Sequence, residues 1–166
     1  MSEKRVAIYP GTFDPITLAH IDIIRTASKM FDEVYIAVAQ NTSKEPLFST
    51  EERIQFLTEA MKEFPNVKAE QFNGLIVDVA KSKKASVLIR GIRAVADFDY
   101  EFQMAIANHK LAPSINTIFI MPSEDLFYIS SKLIKEIASF GGSLEQFVPS
   151  FIKQPIKDKL LSKSKS

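Results

Sequence analysis

Four short stretches of the chain carry residue types suited to handling a phosphate. Tyr9-Pro10-Gly11-Thr12-Phe13-Asp14-Pro15 is a turn stiffened by two prolines, and it feeds Ile16-Thr17-Leu18-Ala19-His20, where helical spacing begins. A helix start offers unpaired N–H groups and a partial positive charge to an anion. His20 adds a hydrogen bond, or a charge if protonated. Ile89-Arg90-Gly91-Ile92-Arg93-Ala94 sets two arginines about a glycine. A guanidinium is a planar fork of donors matched to phosphate, and glycine lets backbone approach closely. Tyr128-Ile129-Ser130-Ser131-Lys132-Leu133 places hydroxyls and a lysine at a further helix start. A cation there opposes the helix dipole unless an anion is bound. Gln40-Asn41-Thr42-Ser43-Lys44 supplies one more lysine.

Each stretch also has a plainer reading. Thr17 caps its helix and His20 is a polar residue satisfied within it. Arg90 and Arg93 pair with Asp97 and Glu101. One serine of Ser130-Ser131 is a helix cap. Lys44, read alone, is a solvated loop lysine. Taken together, the cations and hydroxyls gather without a nucleophile, a pair of carboxylates placed for glycoside chemistry or a Ser–His–Asp order. Neither GxGxxG nor GxxxxGK[ST] is present. This fits phosphoryl or nucleotidyl transfer between substrates, in which positioning and charge stabilisation do the catalysis.

Composition narrows the field further. The 166 residues include no cysteine, which removes thiol nucleophiles, disulfides, thiolate zinc and iron–sulfur ligation. His20 and His109 are the two histidines, too few for a His-rich metal site. A net charge of +1 provides no global field for DNA or RNA, so a phosphate site must be local. The apolar run Val6–Tyr9 is too short for a signal peptide or a membrane helix. The expectation is a cytoplasmic protein.

The elements that must position these residues alternate from end to end. Strands are expected at Arg5–Tyr9, Glu33–Ala39, Asn66–Phe72, Ser86–Arg90 and Asn116–Met121. The first is expected to close at Pro10-Gly11. Helical patterns lie between them, over Ile16–Ala27, Thr50–Lys62, Leu75–Lys83 and Asp97–Leu111, and then over Ser130–Phe140 and Ser150–Leu161. On the helix opened by Thr50, Arg53 falls on the same pattern as Phe56, Leu57 and Ala60. Such alternation predicts an α/β fold: one Rossmann-like, doubly wound domain over 1–161, with a five-stranded parallel sheet, helices on both faces and a polar tail at 162–166. Ligands in such folds bind beyond the carboxyl ends of the strands, where the strand order reverses. The phosphate-suited stretches follow strands one, two, four and five.

In order and register, YPGTFDPIT (Tyr9–Thr17), IRGIRAVADFDYEFQMA (Ile89–Ala105) and ISSKLIKEIA (Ile129–Ala138) resemble the bacterial phosphopantetheine adenylyltransferase family. That family belongs to the nucleotidyltransferases marked by a [T/H]-x-G-H motif. The resemblance runs from about Val6 to Phe147. It implies that ATP and 4′-phosphopantetheine give dephospho-coenzyme A and pyrophosphate, by direct attack on the α-phosphorus with no covalent enzyme intermediate. It implies further that His20 and Thr12 stabilise charge on the α-phosphate, and that Thr12, Lys44 and Arg90 hold the phosphate of phosphopantetheine. Leu75 and Ile76 would line its pantetheine arm. Thr12, Phe13, His20, Gly91, Ile92, Arg93 and Glu101 would contact ATP. So would Leu126, Phe127, Tyr128, Ile129, Ser130, Ser131 and Lys132, with the serines near the β- and γ-phosphates. Magnesium would arrive with ATP, no protein metal site is implied, and the assembly would be a homohexamer.

Two positions depart from the family pattern. Ala19 stands where the motif has glycine, and Lys132 stands where a third serine is usual. Alanine is the better helix former by about 1 kcal/mol, so the fold is not expected to suffer. Lys132 is expected to contact the β- and γ-phosphates through its charge. Other readings of the residues are the same chemistry on nicotinamide mononucleotide, cytidylyl transfer to a polyol phosphate, and a flavodoxin-like binding or receiver module. A receiver would need an acidic cluster after strand one, where only Asp14 is found.

Overall fold

The computed structural model describes residues 4–40 and 45–163. Five strands form one sheet: β1 (Val6–Gly11), β2 (Glu33–Ala39), β3 (Val67–Phe72), β4 (Val87–Gly91) and β5 (Asn116–Ile120). All pairings are parallel, in the order β3-β2-β1-β4-β5. The α-helices are α1 (Leu18–Met30), α2 (Thr50–Ala60), α3 (Ile76–Ser82), α4 (Val95–Leu111), α5 (Ser131–Ser139) and α6 (Lys153–Lys163). The expected α/β architecture and strand number are therefore observed.

Alternation of side chains along each strand feeds two cores. Ala7, Tyr9, Val34, Ile36, Val38 and Ile89 pack into a large cluster with residues of α1, α5 and α6. Val6, Ile8, Ala37 and Leu88 face the opposite layer with Val77 and Ala80 of α3, and with Ala112 and Ile115. Burial on both faces explains why the central strands read as continuous apolar runs. Edge strand β3 is largely exposed, with the sequence VKAEQF.

Three expected boundaries are corrected. β1 does not close at Pro10-Gly11 but continues through both, opposite Ala37 and Val38 of β2. A proline is tolerated because β1 pairs with β4 only at Ala7 and Ile8, so beyond Ile8 it is an edge on that side. The helix expected over Thr50–Lys62 does begin at Thr50 but ends at Ala60, and its cap is Ser49, whose hydroxyl accepts from the Glu52 N–H while the Glu52 carboxylate accepts from the Ser49 N–H. That reciprocal box contributes on the order of 1 kcal/mol. The last helical pattern divides into a 3-10 turn at Ser150–Ile152 and α6.

Candidate active site

The loss of pairing between β1 and β4 beyond Ile8 opens a cleft at the carboxyl edge of the sheet, where the strand order reverses. It has a volume of about 780 Å³. Residues 9–13 and His20 form one wall, Arg90, Gly91 and Arg93 a second, and residues 127–132 a third. Phe13 turns the β1 loop sharply with φ of +51°, in the left-handed region that non-glycine residues rarely adopt. Its buried ring lies edge-on to Tyr9 at 5.2 Å and to His20 at 5.0 Å. A Cβ at Gly11 would stand 2.8 Å from that ring, which requires glycine there.

Thr17 and His20 form a reciprocal cap at the start of α1. The Thr17 hydroxyl accepts from the His20 N–H at 3.2 Å, and the Thr17 N–H donates to His20 Nδ1 at 3.1 Å. The plainer reading of this pair is therefore correct, and it serves the functional one. A donor aimed at Nδ1 leaves the ring proton on Nε2. Burial, aided by the charge of Arg93, pushes the His20 pKa down to about 3. The ring is thus a neutral donor lining the cleft.

Both arginines take the carboxylate partners expected of surface residues, yet both line the cleft. Arg90 grips Glu101 through Nε at 2.5 Å and Nη2 at 2.6 Å, and its Nη1 donates to the Pro10 carbonyl at 3.0 Å. It thus bridges β4 to the unpaired end of β1. Burial works against its charge, but the bonds to Glu101 outweigh it and raise its pKa. Arg93 lies 3.5 Å from Asp97.

On the third wall, Ser130 caps α5 by accepting from the Leu133 N–H at 3.1 Å. Ser131 donates its hydroxyl to the Pro15 carbonyl at 2.7 Å, tying α5 to the β1 loop. With Ser131's proton engaged, the donors left for an anion are the Ser130 hydroxyl and the exposed ammonium of Lys132.

Two buried charges support the first wall. Arg53 is 1% exposed, and its guanidinium donates to the carbonyls of Thr12, Ala39 and Ser49 and to the Thr50 hydroxyl. Burial lowers its pKa, countered by the charges of Asp14 and Glu51. The Asp14 carboxylate accepts from the N–H groups of Leu47 and Phe48 and from Lys135.

Residues 8–137 match the family described as cytidylyltransferase-like. The chain is 52% identical over 155 residues to the phosphopantetheine adenylyltransferase of Caldanaerobacter subterraneus subsp. tengcongensis, covering 93% of this chain and 97% of that one. It is 51% identical to the protein of that name from Lachnoclostridium phytofermentans, covering 93% and 95%. This chain belongs to the phosphopantetheine adenylyltransferase family. The fold is shared more widely. A nicotinic acid mononucleotide adenylyltransferase from Plasmodium falciparum, solved with NaAD, superposes with a TM-score of 0.68 at 14% identity, over 98% of this chain and 97% of that one.

Of the residues that the adenylyltransferase resemblance singled out, Thr12, Phe13, His20, Arg90, Gly91, Arg93 and Glu101 meet at the cleft, with Phe127, Tyr128, Ile129, Ser130, Ser131 and Lys132. Four do not line it. Ile92 and Leu126 stand outside the lining, the Ile92 N–H donating to the Ile120 carbonyl and Leu126 packing on the core. Leu75 and Ile76 begin α3, after the edge strand β3. Lys44 lies outside the described residues. Ala19, the departure from the motif glycine, is buried and lines the cleft, so its methyl group takes up core space. Sequence reasoning gave no role to Tyr9 or Arg53. The signal for Arg53 was its place on the apolar face of α2.

Proposed function

We propose that this chain transfers the adenylyl group of ATP to 4′-phosphopantetheine, giving dephospho-coenzyme A and pyrophosphate. The observation that carries the reading is the convergence of Thr12, His20, Arg90, Arg93 and the start of α5 on one cleft at the strand switch point. An oxygen of the acceptor phosphate forms a bond to the α-phosphorus. The bond from that phosphorus to the β-phosphate bridging oxygen breaks, and pyrophosphate leaves with the electron pair. The chain supplies no nucleophile to this step. His20 donates its Nε2–H, and Thr12 its hydroxyl, to oxygens that gain charge as the phosphorus becomes five-coordinate.

Arg90 and Lys44 hold the acceptor phosphate, and Leu75 and Ile76 flank the pantetheine arm. Arg93, Glu101, the loop from Leu126 and the Ser130–Lys132 turn hold ATP. Magnesium belongs to this reading as the companion of ATP. Among the described residues no three His, Asp or Glu side chains gather as a metal site, and the cleft carboxylates Asp97 and Glu101 are engaged by Arg93 and Arg90. When bound with the triphosphate, the ion would neutralise charge on the leaving pyrophosphate.

A homohexamer is part of the proposal. Its support is α4, which leaves Phe98, Tyr100, Phe102, Met104 and Ile106 exposed, more apolar surface than a solitary helix face needs. No helix of the described residues is long and apolar enough to cross a membrane, and we place the activity in the cytoplasm with its ATP.

The test is pyrophosphate release from ATP and magnesium, with 4′-phosphopantetheine and nicotinamide mononucleotide as separate acceptors. Release with phosphopantetheine alone is expected. Release with nicotinamide mononucleotide alone, or with neither acceptor, overturns the reading.

A further inference from the structure

Tyr9 is buried in the large core, 4% exposed, with its ring edge-on to Phe13. Its hydroxyl makes no hydrogen bond among the described residues, yet no fully enclosed side-chain oxygen or nitrogen there lacks a partner. What exposure the phenol keeps is therefore at the cleft that Tyr9 lines. Glycine keeps that oxygen uncovered, because a Cβ at Gly91 would stand 3.3 Å from it and 2.7 Å from Ile23 Cδ1. A nearly buried hydroxyl with no protein partner is costly unless something else satisfies it.

We propose that the Tyr9 hydroxyl is a substrate-binding donor, giving a hydrogen bond to a phosphate oxygen in the cleft. The inference rests on the adenylyl-transfer reading only for the identity of the substrates. The chemistry of the surroundings selects an anion, since Arg90 and Arg93 both act on the phenol. Burial nonetheless holds its pKa well above the ordinary value, so the group stays protonated and able to donate at any pH at which the protein works. The phosphate is that of ATP or that of phosphopantetheine, and the two are separable by experiment.

Tyr9→Phe removes the oxygen and leaves the ring packing on Phe13 intact. No protein hydrogen bond is lost, so the ligand-free variant should melt at the same temperature as the unaltered chain or higher. Affinity should fall about tenfold, by calorimetry, for the substrate whose phosphate the hydroxyl meets. A loss with magnesium–ATP alone assigns the contact to the nucleotide, and a loss with 4′-phosphopantetheine alone assigns it to the acceptor. A fall in kcat with both affinities unchanged places the bond in the transition state. Unchanged affinities with unchanged kcat overturn the proposal, whatever happens to the melting temperature.

A second measurement needs no variant. The ¹³C resonance of Tyr9 Cζ in the unaltered protein should move when one of the two substrates is added, and a resonance unmoved by either also overturns the proposal. The unaltered chain's pyrophosphate release is read in parallel. Absence of release with a Cζ shift on ATP defeats the functional reading and leaves the phosphate contact standing.

Discussion

The Arg53 guanidinium donates to the Thr12 carbonyl at 2.8 Å and, from the same nitrogen, to the Ala39 carbonyl at 3.0 Å. One buried cation on α2 thus ties the loop after β1 to the end of β2. Arg53→Met is expected to leave these carbonyls unpaired inside the protein and to destabilise it by about 2–4 kcal/mol, read from denaturant unfolding. Arg53→Lys keeps the charge but cannot span the same oxygens. Its turnover should fall at least tenfold while it remains folded. Turnover equal to that of the unaltered chain would show that Thr12 needs no such clamp.

His20 is expected to behave as a neutral Nε2–H tautomer. With a folded pKa of about 3 against 6.5 for the free side chain, the ring binds no proton between those values while the unfolded chain does. Stability from this residue is complete above pH 6.5 and declines as the pH falls toward 3. In ¹⁵N spectra of the ligand-free protein, the His20 nitrogens should not titrate between pH 8 and 5. A transition near 6.5 would contradict the buried, capped geometry.

His20→Ala should lower kcat by orders of magnitude with little change in ATP affinity, because the charge it meets grows during the reaction. It also removes half of the α1 cap, at about 1 kcal/mol, so its melting temperature should fall by a few degrees. A loss confined to ATP binding would place His20 in the ground state.

Glu101 holds Arg90 by two bonds, and Glu101→Gln should loosen the arginine without unfolding α4. KM for phosphopantetheine should rise about five- to tenfold. A rise confined to ATP would leave Glu101 its contact with the nucleotide and remove it from the orientation of Arg90.

With Ser131 engaged by Pro15, Lys132 is the exposed cation of the α5 start. Lys132→Ala should weaken ATP binding severalfold at low salt and flatten its dependence on ionic strength. Affinity and salt dependence both unchanged would remove Lys132 from the triphosphate site.

How much of this was legible in the sequence follows from the range of the interactions. The strands were legible because burial on both faces imposes continuous apolar runs, as in EVYIAVA of β2. The Thr17 cap and a cap at Ser130 or Ser131 were legible because both act within one helical turn, and the structure selects Ser130. The passage of β1 through Pro10 was not, because it depends on where β4 ceases to pair with it. Arg53 read as a helix residue on an apolar face, and only the carbonyls of Thr12 and Ala39, 41 and 14 residues away, explain its burial. Gly91 was expected to allow close approach of backbone to a ligand. The neighbours that require it are Ile23 and Tyr9.

By itself, the sequence determined the alternation of elements, the parallel sheet and the identity of the stretches whose residue types suit a phosphate, since each is written in local periodicity, capping and spacing. Tertiary structure alone decided which of those residues share a cleft, that Arg90 is spent partly on Glu101 and Pro10, that His20 is neutral, and that the Tyr9 oxygen has no hydrogen-bond partner among the described residues. Those properties depend on burial and on partners distant in the chain, and both exist only once the strand order is set.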